Sequence, residues 1–270
     1  MSLILEHEAI TYGRLRQRQF LNGGNFMVTI KCGNMTFPNI QAILFDKNGT
    51  LEDSETYLRS LAQKAARMID AQVPGTGEPL LMAFGINGSS LDPAGIIAVA
   101  SRRETEVAAA AYIAETGKSW FESLKIARQA LDEAEKYIGK TSSPLFVGSL
   151  EVLKSLSEAG LKLGILSAAT TAEVNEFVKY HQLSDYIQLE MGVDEGPSKP
   201  DPILFLQACK SLAVEPSATL MVGDAVGDMQ MARNAKAAGC IGITWIGKSD
   251  NVQGADVVIS QLDEIQLVEA

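Results

Sequence analysis

The stretch Gln41–Leu51, QAILFDKNGTL, decides how the chain folds. Ala42 to Phe45 form a short apolar run of strand-forming character that ends at an acid, Asp46, and the turn-forming pair Asn48-Gly49. A buried strand emptying into a polar loop belongs in a parallel sheet, where ligands bind beyond the carboxyl ends of the strands.

Downstream of Pro144 the same kind of strand recurs between helical segments. The pattern predicts a helix over about 149–159, a strand over Leu161–Leu166, and a helix opened by Thr170 with Glu173 as its capping partner. It continues with a helix near Pro202–Leu212, a strand over Thr219–Val222, a helix over about 227–237, strands over Ile241–Trp245 and Val257–Ile259, and a short last helix. The expected fold class is α/β: a Rossmann-like parallel sheet core with helices on both faces. Between the first two strands, apolar residues at helical spacing in Tyr57–Ile69, the Ala-rich Val107–Ala114 and the capping signal at Ser119 with Glu122 read as an inserted all-helical cap. The expected boundaries are an N-terminal extension, partly irregular, over 1–38; core over 39–52 and 141–270; and cap over 53–140. Residues 1–26 read as a loose extension, with Met27 an alternative natural start. The Gly85–Gly95 loop lacks a preceding strand, so it is expected to shape the cap or line its contact with the crevice rather than bind a nucleotide.

Composition narrows the function. Apolar residues make up 46% and charged residues 21%, as in an ordinary globular protein. The formal charge is −10 with basic residues scattered, which disfavours nucleic acid as a partner. No apolar run is long enough to span a membrane and no secretory leader pattern is present. Cys32, Cys209 and Cys240 are far apart and odd in number, so they read as reduced thiols of a cytoplasmic protein. His7 and His181 belong to no metal-ligand or triad pattern and read as surface or loop residues. Nothing in the sequence sets an oligomeric state.

Candidate chemistry lies where strands end: Asp46, Ser167 after Leu166, and Asp224 with Asp228 after Gly223. Carboxylates gathered at one crevice repel each other, and a hard cation that prefers oxygen ligands, Mg2+, is the usual way to hold them. With Lys199 as a fixed positive charge and Ser167 as a donor, such a site suits a small phosphorylated metabolite.

Asp46-Lys-Asn-Gly-Thr-Leu51, Ser167 after an apolar strand, Lys199 in SKPDP and Gly223-Asp-Ala-Val-Gly-Asp228 follow one another in the order of the four motifs of the haloacid dehalogenase-like superfamily, which the chain resembles from residue 40 to 245. The inserted segment resembles the helical cap of its phosphoglycolate-phosphatase-like members. The resemblance implies that Asp46 is a nucleophile and metal ligand, with the backbone carbonyl of Asn48, Asp224 and Asp228 completing the metal site. It implies that Ser167, Ala168, Lys199 and Thr50 serve the transferring phosphoryl group, with Thr50 also orienting the loop, and that the reaction is magnesium-dependent hydrolysis of a phosphomonoester through an aspartyl-phosphate.

One residue departs from the family pattern. The usual acid two positions after the nucleophile is here Asn48, and an amide cannot act as general acid and base. Four explanations follow: a substrate with a good leaving group, a proton from Glu52, Asp53 or the cap, a slow enzyme, or a non-hydrolytic relative that binds phosphate or regulates. A phosphonatase-like activity would need a cap lysine, for which Lys64 is the candidate. Arg102 and Arg103 are candidates for the substrate's non-reacting end. Trp120 and Phe121 are expected in the core or the cap interface.

Overall fold

The computed structural model describes residues 27–139, 143–245 and 249–268; the expectations for 1–26, His7 included, lie outside the described residues. Strand β1 (Val28–Cys32) turns at Gly33 into β2 (Met35–Ile40), and β3 (Ala42–Phe45) is the strand quoted above. Helices α1 (Glu55–Gln72) and α2 (Gly77–Phe84), the small hairpin β4 (Ile86–Asn87) and β5 (Ser90–Leu91), and helices α3 (Ile96–Val99), α4 (Arg102–Glu115) and α5 (Trp120–Ile138) follow. Then come α6 (Ser149–Glu158), β6 (Lys162–Leu166), α7 (Thr171–Tyr180), β7 (Leu189–Met191), α8 (Ile203–Leu212), β8 (Thr219–Gly223), α9 (Val226–Asn234), β9 (Gly239–Ile243), β10 (Val257–Ile259) and β11 (Ile265–Leu267).

Six strands form a sheet in the order β10-β9-β8-β3-β6-β7, and every pairing in it is parallel. All four residues of β3 are buried because β6 and β8 pair with it on either side. Its side chains alternate between two apolar layers. Ile43 and Phe45 join the layer containing Val152, Leu153, Val174 and Phe177 of α6 and α7, whereas Ala42 and Leu44 join the layer containing Leu204, Phe205 and Met229 of α8 and α9. This two-sided cover explains the unbroken apolar run in the sequence.

Helices α1 to α5 bury a separate apolar cluster. Alanines dominate its contacts, with Ala62, Ala65, Ala66, Ala109, Ala110, Ala127, Ala130 and Ala134 all buried, so the helix backbones approach closely. Gly85 and Gly95 are needed where their loop folds back: a Cβ on either would lie within 2.7 Å of the other's Cα.

Five details differ from the sequence expectations. The described part of the extension, expected to be partly irregular, is a hairpin that belongs to the core: β1 pairs with β2 and β11 in an antiparallel sheet whose Ile30, Cys32, Phe37 and Ile40 enter the core. The expected last helix is a single turn, Leu262–Glu264, leading into β11. The inserted segment contains the β4–β5 hairpin and so is not wholly helical. Strand β7 is too short to signal itself in the sequence, and its burial comes from pairing with β6. Trp120 and Phe121 are 43% and 83% exposed, because they open α5 on its outward side. The three cysteines are free and buried. Among the described residues no helix is long and apolar enough to cross a membrane.

Candidate active site

The alternation of β3 continues into its loop. Asp46 carries on the Ala42–Leu44 face, toward the loop before α8 and the start of α9, and it meets Lys199 and Asp228 there. Lys47 carries on the Ile43–Phe45 face, and its Nζ lies 5.6 Å from the ring centre of Phe177 on α7. One strand end therefore supplies two buried charges to opposite sides of the sheet.

On the first side, Lys199 Nζ lies 2.5 Å from Asp46 Oδ1 and 2.6 Å from Asp228 Oδ1. Carboxylate oxygens of Asp46, Asp224 and Asp228 lie within 4.8 Å of one another. Three carboxylates against one ammonium leave a net negative site. Burial, then the charges of Asp46 and Asp228, push Asp224 well above the usual carboxylate range. Burial also raises Asp228, to about 6, with Lys199 opposing the shift. Lys199 itself would be pushed down by burial, but Asp228 and Asp46 more than offset this and hold it above its ordinary value. The donor set, oxygen-only with surplus negative charge, fits a hard divalent cation.

The loop has little room to vary. Gly49 has φ +76°, and a Cβ there would sit 2.1 Å from Asp224 Oδ2. Thr50 is fully buried and its Oγ1 donates to Asp224 Oδ1 at 3.4 Å. It therefore stands behind the carboxylate and does not line the cavity as a phosphate contact. Ser167 is buried at the end of β6, where its Oγ accepts from the Ala169 amide at 3.1 Å.

Asp46, Asn48, Ser167, Ala168, Lys199, Asp224 and Asp228 line a cavity of about 370 Å3 with Pro93, Ala94, Ala98 and Val99 of the inserted segment opposite them. The end of the Gly85–Gly95 loop thus faces the crevice. A second cavity of about 630 Å3 shares Asn48, Pro93, Ala98, Asp224 and Asn251 and extends between Leu58 and Leu91 on one side and Phe146, Ile243 and Trp245 on the other. Phe146 and Trp245 stack at 4.1 Å between ring centres, 11° from parallel. Beside Lys199, Ser198 Oγ donates to Glu104 Oε1 of α4 at 2.8 Å, tying the inserted segment to the core.

The cap candidates lie elsewhere. Arg102 is engaged by Glu106, Asp132 and Glu135, Lys64 Nζ lies 3.5 Å from the centre of the Tyr137 ring, and Arg103 is exposed; none lines either cavity. Sequence reasoning missed Lys47 as a site neighbour: its Nζ donates to Asn48 Oδ1 at 2.6 Å and to Glu52 Oε1 at 2.9 Å. It also missed the Phe146–Trp245 wall, whose members are about a hundred residues apart in the chain. An unusual lysine inside an apolar-strand exit was the available signal for the first; the second left none.

A family model for haloacid dehalogenase-like hydrolases matches residues 40–236. The chain belongs to the haloacid dehalogenase-like hydrolase family. It is 28% identical over 244 residues to a phosphoglycolate phosphatase of Vibrio vulnificus strain YJ016, covering 87% of this chain and all of the relative. A solved structure of a predicted phosphoglycolate phosphatase from Haemophilus somnus 129PT superposes with a TM-score of 0.64 at 19% identity, over 83% of this chain and 96% of that one. A β-phosphoglucomutase of Clostridium difficile superposes with a TM-score of 0.59 at 22% identity, over 84% and 93%. Hydrolase and mutase thus share this family fold, so the reaction must be argued from the site.

Proposed function

We propose that this hydrolase is a magnesium-dependent phosphatase acting on a small phosphomonoester, with Asp46 as the nucleophile. The observation that carries the reading is the cluster of Asp46, Asp224 and Asp228 around Lys199, all four of which line one cavity. Asp46, Asp224 and Asp228, with the carbonyl of Asn48, would hold Mg2+, which when bound polarises the phosphoryl oxygens and offsets the surplus negative charge. Lys199 neutralises charge on the transferring group and Ser167 with the Ala168 backbone orients it. An Asp46 oxygen attacks phosphorus in line, the bond to the leaving oxygen breaks, and water then hydrolyses the aspartyl-phosphate. The inserted helical segment, facing the cavity through Pro93 to Val99, serves as the cap that keeps bulk water from the reaction.

Phosphate release from 4-nitrophenyl phosphate and from phosphoglycolate, with and without Mg2+, tests this. Magnesium-dependent turnover that Asp46→Asn lowers by at least about 10,000-fold supports it. Release that Asp46→Asn leaves unchanged, or none with any phosphate ester, sinks it. Asn48 favours a second reading, a phosphate-binding relative without turnover, in which Mg2+ and a phosphate mimic bind while every ester stays intact.

A further inference from the structure

Position 48 lines both cavities, so the orientation of its amide decides what a substrate meets there. Lysine has three donors and no acceptor, so Lys47 Nζ at 2.6 Å fixes the carbonyl half of the Asn48 amide toward itself. Lys47 is in turn held by Glu52 at 2.9 Å, both side chains being buried, and by the face of Phe177. The NH2 half of Asn48 is thereby left for the cavity, as a donor that cannot give up its proton. The geometry points to Lys47 and Glu52 as positioning residues that make Asn48 a fixed hydrogen-bond donor to the leaving oxygen, so that the enzyme selects phosphate esters of acidic, aromatic hydroxyls seated against the Phe146–Trp245 wall.

The inference rests on the phosphatase reading and names its substrate class. In the first step the P–O bond to the leaving group breaks and its electron pair stays on that oxygen. The Asn48 N–H stabilises the resulting anion without protonating it, and the departing aryloxide takes a proton from water. A phenol-like oxygen tolerates this; an alkoxide does not. The second step is indifferent to position 48 as an acid, because there the leaving group is the Asp46 carboxylate, already a stable anion. The larger cavity agrees with an aromatic leaving group. Leu58, Leu91, Ile243 and the stacked Phe146–Trp245 pair supply apolar and π surface, while Asp53 and Glu55 on its wall would repel a second carboxylate such as that of phosphoglycolate.

The test is kcat/KM of the magnesium-loaded enzyme, which reports the first step, across phenyl phosphates of graded leaving-group acidity and phosphoglycolate. The expected result is a steep fall as the leaving group becomes more basic, with 4-nitrophenyl phosphate exceeding phosphoglycolate by about 100-fold to 10,000-fold, the usual size of missing acid catalysis. A flat dependence, or phosphoglycolate as the better substrate, overturns the inference and leaves the phosphatase reading standing; no turnover of either removes the reading beneath it. A double-mutant cycle reports the positioning. Lys47→Met with Glu52→Gln should lower kcat/KM about tenfold in the native background and not at all in Asn48→Ala, whereas equal losses in both would make Lys47 merely structural. Trp245→Ala should raise KM for phenyl phosphate at least about fivefold, and an unchanged KM overturns the aromatic seat.

Discussion

Two cations in this molecule each face three carboxylates. Lys199 sits with Asp46, Asp224 and Asp228 at the strand ends, and Arg102 sits with Glu106, Asp132 and Glu135 on the helical insert. The stoichiometry is alike but the surroundings are not. Side chains of Lys199 and Asp228 are 8% and 1% exposed, whereas Asp132 and Glu135 are 57% and 34% exposed and Arg128 adds a second cation at Glu106. Water screens the surplus charge on the insert, so that cluster asks for nothing more. At the strand ends burial weakens that screening, and the same surplus favours a bound cation. Lys47 marks a third case, one buried cation against one buried carboxylate, Glu52, with no surplus at all.

The largest effect is expected from Lys199→Met. It removes the cation from the buried cluster, and phosphate release should fall about 100-fold to 1,000-fold, as when one electrostatic stabiliser of a transition state is deleted. Next is Lys47→Met, which strands a buried Glu52 and should cost about 3–5 kcal/mol in denaturant unfolding, with Glu52→Gln in the same chain recovering most of it. If the single change were as mild as a surface substitution, the balanced pair would not be buried in solution.

Magnesium should report the surplus through pH. The raised Asp224 and Asp228 carboxyls bind more protons in the folded chain than in the unfolded one. Metal-free stability therefore falls as pH climbs from the ordinary carboxylate value of 3.8 through about 6. Magnesium competes with those protons, so its upward shift of the melting temperature should be small at pH 5 and larger at pH 7.5. Asp228→Asn should flatten this difference; a pH-independent shift would place the ion elsewhere.

The residues of the first cluster were legible in the sequence because chemistry and topology coincide. Asp46, Ser167 and Asp224 each follow an apolar strand, and parallel strands bring their carboxyl ends to one edge. The six-stranded sheet was legible for the same reason, apart from β7, too short to show a pattern. What escaped depends on pairings between distant segments. Strand β1 is stabilised by β11 from the far end of the chain, and Trp245 meets Phe146 only once β9 has paired with β8. Arg102 shows the limit from the other side: an arginine at a helix start in a cap suggests a substrate contact, and nothing local reveals that Asp132 and Glu135 of α5 face it.

The smallest effect is expected at that residue. Arg102→Ala removes three ion pairs, yet Asp132 and Glu135 remain in reach of water and Arg128 still meets Glu106. Part-exposed pairs of this kind contribute about 0.2–1 kcal/mol each at most and are not additive, so the unfolding free energy should fall by about 1 kcal/mol in total. Burial, opposed by Arg102, already raises the Glu135 carboxyl, so losing the arginine should raise it further and make the loss somewhat smaller at pH 5 than at pH 8. KM should stay within about twofold, because Arg102 lines neither cavity. A rise in KM of tenfold or more, without a matching loss of stability, would mean that the guanidinium leaves its carboxylates for the substrate when the cap closes, and the two three-carboxylate clusters would then belong to one site.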